Sequence, residues 1–205
     1  MQTLIRDKGW LKMDATQRVK PIYNFVRDDI KFRYNSADNI SASHIWKDGY
    51  GQCNTKATLL MTLLRASGIP NRIHGFTIDK ALQKGAITGI WFKLSPKNIL
   101  HSWVEVFIDE NWYYLEGVIL DKDCKTTFCG FGVSTNNFEN PPVEWNLNHT
   151  FIQDKGINQG FGLFDTPDEF YAKYNQKLGA FRRFMFQKIA RHRMNKNVSR
   201  IRNSM

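Results

Sequence analysis

Cysteine is scarce in this chain, which has only three among its 205 residues. An odd number this small does not form a disulfide framework, and it is typical of a reducing compartment. The sequence has no uninterrupted apolar run of 18 residues, which excludes the usual membrane-spanning helix. The first twelve residues alternate charged and apolar side chains instead of forming a secretory apolar stretch. We therefore expect a cytoplasmic protein.

Several familiar ligand-binding motifs are also missing. The sequence has no glycine-rich loop of the Walker or dinucleotide-binding type. Cys124 and Cys129 are separated by four residues, as in some zinc sites, but two further ligands at a matching spacing are absent. We accordingly predict neither a metal site nor a cofactor.

Apolar residues make up 42% of the chain and include 15 phenylalanines, which indicates a folded globular protein. The length suits one domain with an appendage. Eight of the lysines and arginines, and no acidic residue, fall in 181–205, so the net charge of +10 leaves about 10 − 8 = +2 for the rest. We therefore divide the chain into a domain at 1–180 and a basic C-terminal helix or tail at 181–205.

The basic segment mixes aromatic and cationic residues and admits two interpretations. An amphipathic helix of this composition can bind an anionic membrane surface or a nucleic acid. Alternatively, its apolar stripe packs against the preceding domain and leaves the arginines in water. The sequence leaves both interpretations open.

The stretch from Gly49 to Asn54 places one cysteine, Cys53, on a glycine turn at the start of a predicted helix that continues through the apolar run Ala57–Ala66. The first N–H groups of a helix are unpaired, and together with the helix dipole they stabilise a negative charge. A thiol in that position ionises more easily, and the thiolate is the nucleophilic form. The alternative is a small buried residue that begins a core helix.

Capping residues and hydrophobic spacing predict the other elements. The expected elements are a helix after Asp14, strands at Arg72–Ile78, His101–Ile108 and Trp112–Leu120, a helix after Thr166 and a last helix at Ala180–Met194. The segment Asp79–Leu100 is predicted to be a long loop and a candidate lid. The segment Asp121–Phe164 gives no clear pattern.

Four short motifs resemble those of one family. They are Gly51-Gln52-Cys53 at a helix start, the helix end Leu63–Pro70 (LLRASGIP), the strand His101–Val106 (HSWVEV) and the strand Trp112–Glu116 (WYYLE). Together these motifs, within residues 16–121, resemble the transglutaminase-like superfamily, whose core is papain-like. The resemblance implies an α+β fold, with N-terminal helices packed on an antiparallel sheet and helices at the C-terminus.

The resemblance also implies a catalytic triad. Cys53 would be the nucleophile, His101 the general base and then acid, and Glu116 the group that orients the imidazole. Glu116 stands where the family has aspartate. The register of the predicted hairpin bears on this assignment. If the hairpin loop has three residues, Asp121 lies on the same face of the sheet as His101. If the loop has four residues, His101 is opposite Val118, and Glu116 lies on the face of His101 instead. We predict Glu116, with Asp121 as the alternative.

An acyl-transfer site of this kind needs donors for the oxyanion. The backbone N–H of Cys53 is the natural first donor, and Gln52, Tyr34 and Asn35 are candidates for the second. Trp103 is expected in the wall of the cleft.

These features predict a cysteine-dependent acyl-transfer enzyme that acts on amide bonds of a protein or peptide through a thioester. We expect hydrolysis, as in a cysteine protease or amidase, more than cross-linking. The alternative is a non-catalytic binding module with the same fold, whose basic segment binds nucleic acid or a membrane.

Overall fold

A computed structural model describes residues 1–84, 86–115, 117–119, 121, 157–174 and 178–203. The helices are α1 (Gln2–Asp7), α2 (Ala15–Asn24), α3 (Ala42–Asp48), α4 (Cys53–Ala66), α5 (Gly89–Leu94), α6 (Pro167–Lys173), α7 (Ala180–Met185) and α8 (Arg191–Asn203). The strands are β1 (Lys31–Phe32), β2 (Tyr50–Gly51), β3 (Asn71–Asp79), β4 (Asn98–Ile108), β5 (Asn111–Leu115) and β6 (Ile157–Phe164). Short 3₁₀ turns occupy Trp10–Lys12 and Lys80–Gln83.

The N-terminal helix α2 begins where the capping pattern predicts. The Asp14 carboxylate accepts a hydrogen bond from the Gln17 backbone N–H at 2.8 Å. Pro21 lies inside the helix, which continues without a break into a π-helical turn at Phe25–Asp29. The apolar side chains at helical spacing are all buried in the core: Val19, Ile22, Val26 and Ile30.

The central helix α4 is buried along almost its whole length. Its apolar side chains, from Ala57 to Leu64, join the main core cluster with one face of the sheet. Gly68 follows the helix with φ at 77°, a left-handed conformation that glycine adopts at low cost. The helix end predicted from the sequence is confirmed.

The four-stranded sheet has the order β5-β4-β3-β6, and every neighbouring pair is antiparallel. One face carries Ile73, Val104 and Val106, which pack in the same cluster as α4. The opposite face carries Phe76 and Trp103, which form a separate apolar cluster. Helices on an antiparallel sheet confirm the predicted α+β fold class.

The β4–β5 hairpin turns at Asp109 and Glu110, whose φ angles are 48° and 65°. Two successive left-handed residues are typical of a tight two-residue hairpin. The turn pairs Phe107 with Trp112 and Ile108 with Asn111. This register agrees with the alternative of a four-residue loop, in which His101 is opposite Val118 and Glu116 lies on the face of His101.

Strand β6 and helix α5 are two elements that the sequence pattern does not reveal. The prediction of one long loop at Asp79–Leu100 was wrong, because that segment contains α5 and the first residues of β4. The sequence of β6, INQGFGLF, contains two glycines and most of its side chains are exposed, so it lacks a clear apolar alternation. The helix that follows, α6, is predicted correctly, since the Thr166 hydroxyl accepts a hydrogen bond from the Glu169 N–H at 3.1 Å.

The basic C-terminal segment is helical from Ala180 to Asn203, with a π-helical stretch at Phe186–Ala190. Asn195 is tied to the N-terminal part of the chain, because its side chain accepts from the Tyr34 N–H at 2.7 Å and donates to the Tyr34 carbonyl at 3.0 Å. Met194 and Val198 are buried, as the packing interpretation expects, whereas Phe181 and Phe184 at the start of the segment are exposed. Among the described residues, no helix is both long and apolar enough to cross a bilayer.

Replacing Gly75 with alanine is expected to destabilise the fold by about 1–3 kcal/mol through overpacking. Gly75 lies in β3 beneath Phe170 of α6, and an added methyl group would clash with the aromatic ring. Gly160→Ala is the matched control, because a methyl group there meets no atom within 4 Å. Urea unfolding of both variants measures the difference, and equal stabilities would contradict this packing.

Candidate active site

A cavity of about 780 Å³ opens onto the first turn of α4. Its walls come mainly from four parts of the chain: the α4 start, the segment 34–39, residues between 83 and 100, and the C-terminal helices, with Phe32 and Ile119 in addition. Cys53 lines this cavity and is only 6% exposed. The predicted placement of Cys53 at a helix start is thus observed, with a binding space in front of it.

Two residues predicted as oxyanion donors hold the turn before Cys53 instead. The Asn35 N–H donates to the Gln52 side-chain oxygen, and the Gln52 N–H donates to the Asn35 side-chain oxygen, both at 3.2 Å. The Gln52 amide nitrogen donates to the Asp38 carboxylate at 2.6 Å. The side chains of Gln52 and Asn35 therefore already have partners in this arrangement.

Asn54, the residue after Cys53, fastens the start of α4 to the sheet and to α6. Its side-chain oxygen accepts from the Ser102 hydroxyl at 3.0 Å, and its carbonyl accepts from the Tyr171 hydroxyl at 3.1 Å. Asn54 also hydrogen-bonds the Asp38 carboxylate. Both neighbours of Cys53 in the chain thus hold Asp38 beside the cavity.

The thiol of Cys53 is buried and neutral. Burial raises its pKa most, and the negative charge of Asp38 raises it further. The N–H groups of Asn54 and of Cys53 itself lower the pKa, but by less. The N–H groups at the helix start therefore favour the thiolate, as the sequence suggests, but desolvation of the sulfur raises its pKa by more than they lower it.

Tyr34, the remaining predicted oxyanion donor, also lines the cavity. Its hydroxyl lies 3.3 Å from the side-chain oxygen of Gln83, to which it donates. Burial and the proximity of Cys53 raise the pKa of Tyr34 far above its ordinary value, so the phenol stays protonated.

Replacing Asp38 with asparagine is expected to speed the alkylation of Cys53 by iodoacetamide at pH 8. The substitution removes a negative charge that raises the thiol pKa, so the thiolate fraction increases at a given pH. We expect an increase of about threefold to tenfold, since one pKa unit changes that fraction tenfold.

Asp29→Asn serves as the control for this prediction because the Asp29 side chain is 60% exposed. The alkylation rate at Cys53, followed by peptide mapping, should be unchanged in it. A slower rate in Asp38→Asn would show that Asp38 promotes ionisation instead of opposing it.

His101 lies on the face of β4 that points away from α4. It pairs with Phe76 of β3, and the two ring centroids are 5.1 Å apart. Ser102, the next residue, points to the other face and donates to Asn54. Because side chains alternate along a strand, His101 and Cys53 lie on opposite sides of β4. Within the described residues, no hydrogen bond joins the imidazole to the thiol.

The imidazole of His101 is buried and neutral. It is 3% exposed, and burial lowers its pKa to about 4. Its Nδ1 atom is buried without a hydrogen-bond partner in the described part of the chain. Trp103 lies on the same face, where its indole N–H donates to Glu105 at 3.3 Å, so it does not contribute the cleft wall expected of it in this arrangement.

The two candidates for the third triad position have different outcomes. Glu116 lies outside the described residues. Asp121 is fully buried and accepts hydrogen bonds from the Phe32 N–H at 2.7 Å and from Arg202 at 2.8 Å. Its carboxylate joins the C-terminal helix to β1, a structural role that the sequence argument did not consider.

The sequence did not indicate the polar residues that surround the start of α4 in the cavity, among them Asp38, Asn54 and Tyr171. Asp38 lies in a polar loop without a motif, and Tyr171 is more than 100 residues from Cys53 in the chain. Asn54 could have been found, because it is adjacent to the cysteine at the helix start. Among the residues described, no cluster of three or more metal-ligating side chains occurs; Cys124 and Cys129 lie outside them.

Comparison with known proteins supports the family resemblance. The sequence pattern of the transglutaminase-like superfamily matches residues 3–117. Over 96 residues, the chain is 26% identical to an uncharacterized protein, YebA, of Bacillus subtilis (strain 168). That alignment covers 46% of this chain and 13% of YebA. No solved structure matches the chain. The helix, the sheet and the matched residues establish that the chain belongs to the transglutaminase-like superfamily.

Proposed function

We propose that the protein is a cysteine-dependent acyl-transfer enzyme with Cys53 as its nucleophile. The observation that carries the proposal is the position of Cys53, at the first turn of α4 and in the wall of a cavity large enough for a small ligand. Membership of the transglutaminase-like superfamily adds support, because cysteine-based acyl transfer is the chemistry it suggests.

The proposed reaction begins when the sulfur of Cys53 attacks an amide carbonyl. The N–H groups of Cys53 and Asn54 hydrogen-bond the sulfur, which supports them as donors to the oxyanion that forms next to it. The C–N bond breaks, a thioester forms, and the proton of the thiol reaches the leaving amine. Water then attacks the thioester and releases the acid. Asn54 thus replaces Gln52, Tyr34 and Asn35 as our choice of second donor.

His101 is the proposed carrier of that proton, with Glu116 as the group that orients it. The proposal requires the beginning of β4 to turn His101 to the face on which Cys53 lies. The carboxylate of Glu116 must reach that face with it, because the observed hairpin register is the one that places Glu116 on the face of His101. A neutral imidazole is the form that can accept a proton, and His101 is neutral at pH 7. Among the described residues the Nδ1 atom of His101 has no hydrogen-bond partner, which leaves a place for the orienting carboxylate.

Hydrolysis is the proposed outcome, because the cavity reaches exposed side chains such as Ile90 and Phe181 and is accessible to water. A protein or peptide substrate remains a prediction from the sequence.

The experiment compares His101→Ala with the parent protein in hydrolysis of activated esters and amides. Loss of a general base is expected to lower kcat by about 10²–10⁴-fold. His44→Ala is the matched control, because the His44 side chain is 63% exposed. Circular dichroism checks that each variant is folded. Full activity in folded His101→Ala would exclude His101 as the base.

A second candidate function is a binding module without catalysis. The observation that favours it is the separation of His101 from Cys53 across β4. A module of this kind would leave Cys53 unmodified by every acyl donor, while the basic C-terminal helices would bind nucleic acid or anionic vesicles with an affinity that falls steeply with salt.

A further inference from the structure

The cavity next to Cys53 is divided into a polar end and an apolar wall. The polar groups of Asn35, Asp38 and Gln52 cluster around the start of α4. The remaining wall is largely apolar and comes from two segments, 87–99 and 178–194. It includes Ile87, Trp91, Leu94, Phe181, Phe186 and Met194.

We infer that the substrate of the proposed reaction carries a long apolar acyl chain, with its carbonyl at Cys53 and its chain along this wall. The inference rests on the proposed function. An extended peptide would bring an N–H and a carbonyl at every residue, each of which needs a partner when buried. The apolar wall offers few such partners, whereas a hydrocarbon chain needs none and gains from burial.

The depth of the cavity also suits a chain. Ile87 and Met194 are buried at its inner part, at 4% and 5% exposure. Ile90, Leu94 and Phe181 are 61%, 53% and 75% exposed, so they mark its outer rim. Apolar side chains exposed together at a cavity rim are typical of a binding site for an apolar ligand. Arg182 and Arg183 are exposed beside them on the same rim.

The experiment measures acylation of the full-length protein by a series of p-nitrophenyl esters: acetyl, butanoyl, hexanoyl and octanoyl. Intact mass spectrometry counts the acyl groups, and peptide mapping locates them. Because each buried methylene contributes about 0.8 kcal/mol, we expect kcat/KM for octanoyl to exceed that for acetyl by at least about 30-fold. Equal rates, or a preference for acetyl, would overturn the inference.

A variant with charged side chains at the cavity rim tests whether the apolar wall binds the acyl chain. The double variant Ile90→Lys/Leu94→Lys places two charges on the rim and should reduce the octanoyl-to-acetyl ratio by at least about fivefold. Leu11→Lys/Met13→Lys is the matched control, since both residues are exposed, at 50% and 39%, outside the cavity lining. A ratio that falls equally in both variants would contradict the assignment.

Two further measurements separate this inference from the proposed function. An ester of N-acetylphenylalanine that acylates Cys53 faster than the octanoyl ester would favour a peptide and overturn the inference alone. Calorimetry compares the affinities of octanamide and acetamide for Cys53→Ala. Because this variant cannot be acylated at position 53, the comparison measures the contribution of the apolar wall to binding alone. If octanamide binds but no ester acylates Cys53, the acyl-chain site stands and the proposed function fails.

Discussion

Replacing Cys53 with alanine is expected to abolish ester and amide turnover while leaving the fold intact. No other side chain in the proposed reaction can form the covalent intermediate, so we expect a loss of up to about 10⁶-fold in kcat, as when the nucleophile of a catalytic triad is removed. Stability should change little, because the thiol is small and alanine keeps its Cβ. The measurement is the burst of p-nitrophenol at high enzyme concentration.

The controls for this prediction are Cys124→Ser and Cys129→Ser, which should keep the full burst. A burst that persists in Cys53→Ala and disappears in either control would move the nucleophile to another cysteine. A burst that persists in all three variants would mean that the acyl group is carried by a different residue type.

Replacing Asp121 with alanine is expected to lower the free energy of unfolding by about 3–5 kcal/mol, the usual cost of leaving a buried charge uncompensated. The carboxylate is fully buried and joins Arg202 of α8 to the backbone of Phe32. Its loss would leave the Phe32 N–H and the Arg202 guanidinium without that partner. Urea unfolding at pH 7 measures the effect.

The effect of Asp121 should depend on pH in a defined direction. Burial raises the pKa of Asp121, but the hydrogen bonds from Arg202 and Phe32 and the charges of Arg202 and Lys56 together lower it more, so the folded value lies below the ordinary 3.8. A group whose folded pKa is depressed contributes stability above its unfolded pKa and loses it as the pH falls through the folded value. The stability difference between parent and variant should therefore shrink below about pH 4.

Asp29→Ala is the control, because its ion pair with Lys8, at 3.9 Å, is solvent-exposed. A pair of that kind contributes about 0–1 kcal/mol. If Asp121→Ala were as stable as this control, the contact of α8 with β1 would not hold the C-terminal helices in place.

Local sequence signals predicted the elements that end in clear caps or turns. The side chains of Asp14 and Thr166 cap their helices at the expected positions, because each accepts a hydrogen bond from a backbone N–H group three residues further on. Gly68 ends α4 as expected, in a left-handed conformation. The start of α4, with Cys53 at that position, was likewise predicted from local sequence signals. Strand β6 was missed because its side chains are mostly exposed and leave no apolar alternation.

The candidate site was predictable only in part, because burial and long-range contacts decide its electrostatics. The lowered thiol pKa expected of a helix start is reversed by desolvation and by Asp38, which belongs to a polar loop without a motif. The face of β4 on which His101 lies depends on strand register, which the motif HSWVEV does not contain. Packing of the C-terminal helices over the cavity likewise depends on contacts such as Asn195 with Tyr34.

The measurement that tests the central claim most directly is the location of the acyl group on the protein. The full chain is incubated with an activated acyl ester, quenched in acid, digested and mapped, with and without hydroxylamine. We expect one adduct, on Cys53, that hydroxylamine removes, because thioesters are cleaved by that nucleophile. An adduct spread over all three cysteines, or one on lysine that resists hydroxylamine while Cys53 stays free, would contradict the claim.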